Sequence, residues 1–148
     1  MIGVSACLVG CNCRYDGKNK INRELIKLIK FENILPVCPE TSGGLSVPRE
    51  PASITGGDGF DVLDGNAKVI DISGSDKTEA FIKGAYITLK HLKIHGIKRC
   101  VLKAKSPSCG IAKKMSLPPL ANGYGEGTSV TGVTAALLMR RGIIVENI

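Results

Sequence analysis

The chain has 148 residues, 43% of them hydrophobic, with no Trp and only three Phe and three Tyr, which suits one domain over 1–148 with an aliphatic core. A formal net charge of +7 fits an anionic partner, although the excess is spread along the chain and suits a solvated basic surface better. No apolar stretch approaches the roughly 20 residues of a membrane helix, so no membrane partner is expected.

Residues 2–6 form a short apolar run that predicts an internal parallel strand. Leu8-Val9-Gly10-Cys11 has the form of a lipoprotein cleavage box, but no basic n-region precedes it. The segment is read as the loop after the first strand, and the protein as cytoplasmic. Asn22 is the expected cap of a helix to about Phe31, with Leu25, Ile26, Leu28 and Ile29 at helical spacing. Ile34 to Val37 is a second strand, weakened by Pro36. Residues 39–66 are rich in Pro, Gly and Ser and predict a long irregular loop. Within it, Asp61-Val62-Leu63 is expected to pair with Ala67 to Ile72 as a hairpin.

Ser75 or Asp76 caps the longest expected helix, which ends at about His95 before Gly96. Cys100 to Ala104 is a third strand, and 105–132 a second Gly- and Pro-rich loop. Val133 to Arg140 is a helix, and Ile143 to Glu146 a last strand. This alternation predicts an α/β fold: an open, mostly parallel, Rossmann-like sheet with helices on both faces. The long loops then share one strand edge, where such folds bind ligands.

Six Cys in a reducing compartment favour metal binding or catalysis over disulfides. Cys7, Cys38 and Cys109 each follow a predicted strand, so the sheet edge brings them together. Three soft ligands and an open fourth position make a catalytic metal site. The plainer reading, a small core hydrophobe, fits Cys100 inside the third strand best. Cys11 and Cys13 are read as loop residues, a redox pair or replacement ligands. His91 and His95 are one helical turn apart, near a helix C-terminus that favours their cationic form without any metal.

Several segments together resemble the bacterial DUF523 family, which includes the thiouracil desulfidases. They are Ser5-Ala6-Cys7-Leu8, Cys13-Arg14-Tyr15-Asp16-Gly17, Val37-Cys38-Pro39-Glu40, Gly43-Gly44-Leu45, Val47-Pro48-Arg49, Ser106-Pro107-Ser108-Cys109-Gly110 and Gly132-Val133-Thr134-Ala135-Ala136-Leu137. The resemblance implies a [4Fe–4S] cluster on Cys7, Cys38 and Cys109, with one iron free of protein ligands. It also implies non-redox exchange of sulfur for oxygen on a thiolated pyrimidine base or nucleotide, with Glu40 and Ser106 as the catalytic pair. A thiolated tRNA is a further, less favoured partner. Where the family has a Tyr-Asp-Gly-Thr-Phe-like segment, this chain has Ile111 to Leu120, a departure expected to alter the substrate pocket.

Asp16, Arg49 and Ser108 are candidate substrate contacts. Asp16 equally suits a plain Asp-Gly turn. Arg49 suits loop fixation or bidentate phosphate binding. Ser108 lies in a turn whose N–H groups can face cluster sulfides. The rival function is a non-enzymatic metal- or RNA-binding module with structural zinc. Against it stand the absence of a Cys-x-x-Cys pair and the scarcity of aromatic residues.

Overall fold

The computed structural model describes residues 1–112 and 130–148. The expectations for 113–120 and for the Gly-rich stretch after it lie outside the described residues. In chain order the elements are β1 (Ile2–Ser5), a 3₁₀ turn (Ala6–Val9), α1 (Arg23–Leu28), β2 (Ile34–Val37), α2 (Pro39–Ser42) and β3 (Ala52–Thr55). They continue with α3 (Gly59–Leu63), β4 (Lys68–Asp71), α4 (Thr78–Ile94), β5 (Arg99–Leu102), α5 (Val133–Arg140) and β6 (Ile144–Asn147).

The main sheet is four-stranded, in the order β2-β1-β5-β6, with every pair parallel. β1 is internal and buried along its whole length. Pro36 is tolerated because β2 is an edge strand, where a missing N–H breaks no ladder on the outer side. Alternation along the strands splits the core in two. Ile2, Val4 and Val101 pack with Leu25 of α1 on one face. Cys100 and Leu102 face α4 and α5 on the other, with Phe81, Leu89, Leu92, Val133 and Leu137. The α/β sheet with helices on both faces is therefore as the alternating pattern predicts.

Asn22 caps α1 as expected, accepting the Leu25 N–H at 2.9 Å. Of the anticipated apolar face only Leu25 is fully buried, and Leu28 is 77% exposed. Asp76 accepts the Thr78 N–H at the start of α4. The region 39–66 departs most from expectation. It contains α2, β3 and α3, and Asp61-Val62-Leu63 is helical instead of extended. Asp58 accepts the N–H groups of Phe60 and Asp61, while the Asp61 carboxylate takes the Asp58 N–H. This reciprocal box starts a helix where apolar residues alone suggest a strand. The strand partner of β4 is consequently β3, antiparallel, with Ala52 opposite Asp71.

Two contacts fix the elements that carry the site. α2 lies against α4 so closely that a Cβ on Gly43 would strike the Ala80 carbonyl, and one on Gly84 the Pro39 carbonyl. The start of α5 holds the loop after β5: Val133 and Ala135 donate their N–H groups to the carbonyls of Pro107 and Ser108 at 2.9 and 3.0 Å.

Candidate active site

The C-terminal ends of β1, β2 and β5 surround a cavity of about 360 Å³. Its lining includes Cys7, Cys38, Cys109, Glu40, Ser106 and Ser108, drawn from three separate loops. The volume is at the small end of the roughly 300–1,000 Å³ typical of ligand pockets.

Each side chain is placed by local structure. Cys7 sits in the 3₁₀ turn that ends β1, and its carbonyl accepts the Lys20 N–H as the loop folds back. Cys38 is the N-cap residue of α2, so Glu40 falls in the first turn of that helix. The Cys109 loop is cross-braced. Ser106 Oγ accepts the N–H groups of Ser108 and Cys109 at 3.2 and 3.1 Å. Asn147 of β6 donates to the carbonyls of Leu102 and Cys109 at 3.2 and 2.9 Å.

A fourth thiol lines the cavity. The Cys38 thiol donates to the Cys13 carbonyl at 3.8 Å, and the thiols of Cys7, Cys13 and Cys38 act on one another's ionisation. The Cys13 thiol holds the Cys7 thiol below the usual range despite burial, and the nearby Lys103 cation adds to this. The Cys38 thiol lowers Cys13, but the Cys7 thiol, together with burial, outweighs this and pushes it up to about 11. The Cys13 thiol, then burial, raises Cys38. Burial pushes Cys109 up to about 12, against hydrogen bonds from Ser5 and Ser106. Burial also pulls the Lys103 ammonium below the lysine range, and the cations of Arg14, Lys20 and Lys105 act in the same direction.

Glu40 and Arg49 form an ion pair, Nη2 to Oε2 at 2.6 Å, with side chains 19% and 8% exposed. Arg49 also donates to the carbonyls of Cys13 and Ser46 at 3.0 and 3.1 Å. Its Nε is buried without a partner among the described residues, as is Ser108 Oγ. One guanidinium thus ties the Glu40 carboxylate to the Cys13 loop.

A family profile described as 2-thiouracil desulfurase matches residues 2–147. The chain belongs to the 2-thiouracil desulfurase family. Among its relatives is the uncharacterized protein YbbK of Bacillus subtilis (strain 168), 44% identical over 151 residues that span 99% of this chain and 96% of YbbK. A solved structure, the [4Fe–4S]-dependent thiouracil desulfidase TudS, superposes with a TM-score of 0.77 at 38% identity, covering 99% of this chain and 89% of TudS.

Set on this desulfurase fold, the residues expected from sequence divide clearly. Cys7, Cys38, Cys109, Glu40, Arg49, Ser106 and Ser108 all line the one cavity. Asp16 does not. Its carboxylate is held by Arg14 at 3.3 Å and by the Lys18 N–H at 3.0 Å, which shapes the turn. Cys100 is a fully buried strand residue, Cys11 is exposed, and His91 and His95 are both at the surface. Sequence reasoning passed over Ser5 and Lys103 as site residues, and it read Cys13 as a loop residue, a redox partner or a replacement ligand. A serine or lysine at a strand end carries no local signal of its own.

Among the described residues no group of three or more His, Cys, Asp or Glu is arranged to hold a metal ion, so the fit to a cluster rests on donor type. A [4Fe–4S] cluster needs soft thiolates spread over separate irons, and the cavity offers thiols on separate loops with unpaired buried hydroxyl at Ser108.

Proposed function

We propose that this chain is a desulfidase that replaces sulfur by oxygen on a thiolated pyrimidine, free base or nucleotide. The reaction consumes water and releases hydrogen sulfide, C=S + H₂O → C=O + H₂S, with no net electron transfer. One observation carries the reading: Cys7, Cys38, Cys109, Glu40 and Ser106 meet at one cavity. The likeness to TudS supports it.

Cys7, Cys38 and Cys109 would hold a [4Fe–4S] cluster. Bound through three thiolates, such a cluster offers one iron as a soft Lewis acid toward a thiocarbonyl sulfur. The other tasks fall to the chain. Val37, Pro39, Pro51, Ala52 and Pro107 give the cavity apolar walls for a flat ring. Arg49 occupies Glu40 Oε2, which leaves Oε1 to take the proton of the attacking water. Arg49 therefore acts as a positioning residue for Glu40 and not as a phosphate clamp, since its Nη groups are already engaged. The oxygen of Ser106 is held by two backbone N–H groups, so its proton is free to reach Cys109 or a pyrimidine carbonyl. Ser108 Oγ, buried and unpartnered, is a further donor at the same wall. The Lys103 ammonium beside Cys7 offsets the negative charge of the thiolates and of departing sulfide.

On this reading the protein works as one cytoplasmic domain on a small molecule, and a tRNA is not its preferred substrate. The structural-zinc alternative lacks support: Cys11, the sequence neighbour that would complete a pair with Cys13, is exposed. The test is anaerobic reconstitution with iron and sulfide, followed by assay of sulfide release from 2- and 4-thiouracil and their nucleotides. The proposal expects brown protein and sulfide release. Colourless protein that retains zinc, or iron-loaded protein inert toward every thiopyrimidine, would reject it.

A further inference from the structure

Asp16 does not line the cavity, yet its neighbours Arg14 and Tyr15 both do. The turn that carries them is closely fixed. The Arg14 N–H donates to the Lys18 carbonyl at 3.2 Å, and the Gly17 N–H donates to the Arg14 carbonyl at 3.0 Å. Gly17 takes the positive φ of 71° that closes the turn. The Tyr15 carbonyl accepts the Arg49 N–H at 2.8 Å, which joins this turn to the residue that holds Glu40.

The side chains brace one another in order. Asp16 accepts from Arg14 Nε and Nη2 at 3.3 and 3.4 Å, through separate carboxylate oxygens. The guanidinium held in this way lies 5.5 Å from the centroid of the Tyr15 ring. A cation over an aromatic face is attracted by the π electrons and restrains the ring. Tyr15 is still 43% exposed, at the edge of a cavity whose apolar walls at Val37, Pro39, Pro51, Ala52 and Pro107 are aliphatic. An isolated exposed aromatic is ordinary. Here ring, cation and carboxylate form one unit at a cavity edge.

We infer that Tyr15 is a specificity-determining residue: its ring stacks on the pyrimidine, and Asp16 holds that ring in place through Arg14. The inference rests on reading the cavity as a thiopyrimidine site. Every base has a π face, and an aromatic side chain stacks on it with little regard to substituents. Such a platform tolerates exchange of sulfur for oxygen on the ring but rejects a ring that is no longer flat.

The experiment compares anaerobically reconstituted wild type, Tyr15→Phe, Tyr15→Ala and Arg14→Met, each checked for iron content and melting. Equilibrium dialysis reads the binding of uracil, the flat product base, and of dihydrouracil, which keeps the same carbonyl and N–H groups on a puckered ring. Wild type and Tyr15→Phe should prefer uracil. Tyr15→Ala should bind uracil about 5–150-fold more weakly, the range for loss of one base–aromatic stack, and lose the preference. Arg14→Met should lose part of it. Uracil binding by Tyr15→Ala at wild-type strength overturns the inference, as does a wild type without the preference. Equal weakening toward both ligands, or an unfolded Tyr15→Ala, makes the ring a structural prop and also overturns it. Tyr15→Phe behaving like Tyr15→Ala does the same, and an unchanged preference in Arg14→Met overturns the bracing by Asp16. Loaded wild type that binds neither uracil nor 2-thiouracil is a different failure: it removes the thiopyrimidine reading itself, and this inference with it.

Discussion

Cys100 and Cys109 are both buried, and burial raises both thiols, to about 11 and about 12. Cys100 lies mid-sheet in β5, with Gly3 of the neighbouring strand against it and Leu92 of α4 above. Its one polar influence is a backbone N–H. Cys109 lies beyond the end of that strand and shares the cavity lining with Ser5, Ser106, Glu40 and Cys38. Burial and a raised pKa do not separate the packing cysteine from the proposed ligand. Their polar company differs, and among the described residues that of Cys109 gathers where the ladder stops and side chains from several strands turn inward.

The largest expected effect breaks the comparison at its functional end. Cys7→Ser, Cys38→Ser and Cys109→Ser should each lose cluster binding, whereas Cys100→Ser should load normally. Iron content per chain after reconstitution checks this. Full loading of any of the first three would remove that residue from the ligand set, and iron loss in Cys100→Ser would erase the contrast.

Next in size is Glu40→Gln. Amide and carboxylate share a shape, so fold and cluster should persist while turnover falls about 10²–10⁴-fold, the range for a positioned base. A thiopyrimidine should still perturb the cluster spectrum in this variant. Turnover near wild type would remove Glu40 as the base. Arg49→Met should act in the same direction through Glu40. Its signature is a changed pH profile of kcat with little change in KM, since the proposal places Arg49 on the base and not on the substrate.

These expectations start from residues legible in the chain. The runs at 2–6, 34–37 and 100–104 announce strands because they are short, apolar and bounded by loops. The cysteines that follow them are placed at one edge by parallel topology alone. What local pattern hides is equally specific. Asp61-Val62-Leu63 reads as extended until Asp58 is seen to box with Asp61. β3 is obscured by the Pro and Gly on either side of it, and it exists because β4 needs a partner. Arg49 reads as a loop-fixing residue or a phosphate ligand, and nothing local in the sequence announces that the fold sets it 2.6 Å from Glu40. Ser5 and Lys103 join the cavity lining through tertiary contact, and the same contact singles out Cys13 from Cys11.

Mid-sheet, the effects should be on stability alone. A Cβ at Gly3 would sit 2.6 Å from Cys100 Sγ and 2.8 Å from Leu92 Cδ2. Gly3→Ala should therefore cost about 1–3 kcal/mol of overpacking, read by denaturant unfolding, with the potential of the loaded protein unchanged.

Cys100→Ala should have the smallest effect of the set, about 1–2 kcal/mol, from the void left by one buried sulfur. The two substitutions ought not to add. In the Gly3→Ala, Cys100→Ala double variant the new methyl enters the space that Sγ vacated, although Leu92 still crowds it from the other side. Rescue should then be partial, with a coupling of about 0.5–3 kcal/mol in the favourable direction. Simple additivity would mean that Gly3 is required for a reason other than the Cys100 sulfur. A shift in cluster potential in the double variant would mean that the strand thiol is felt at the edge, and the division between packing cysteine and ligand cysteine would fail. If coupling is present and the potential is still, Cys100 is a space-filling group, and the chemistry belongs to the thiols beyond the strand ends.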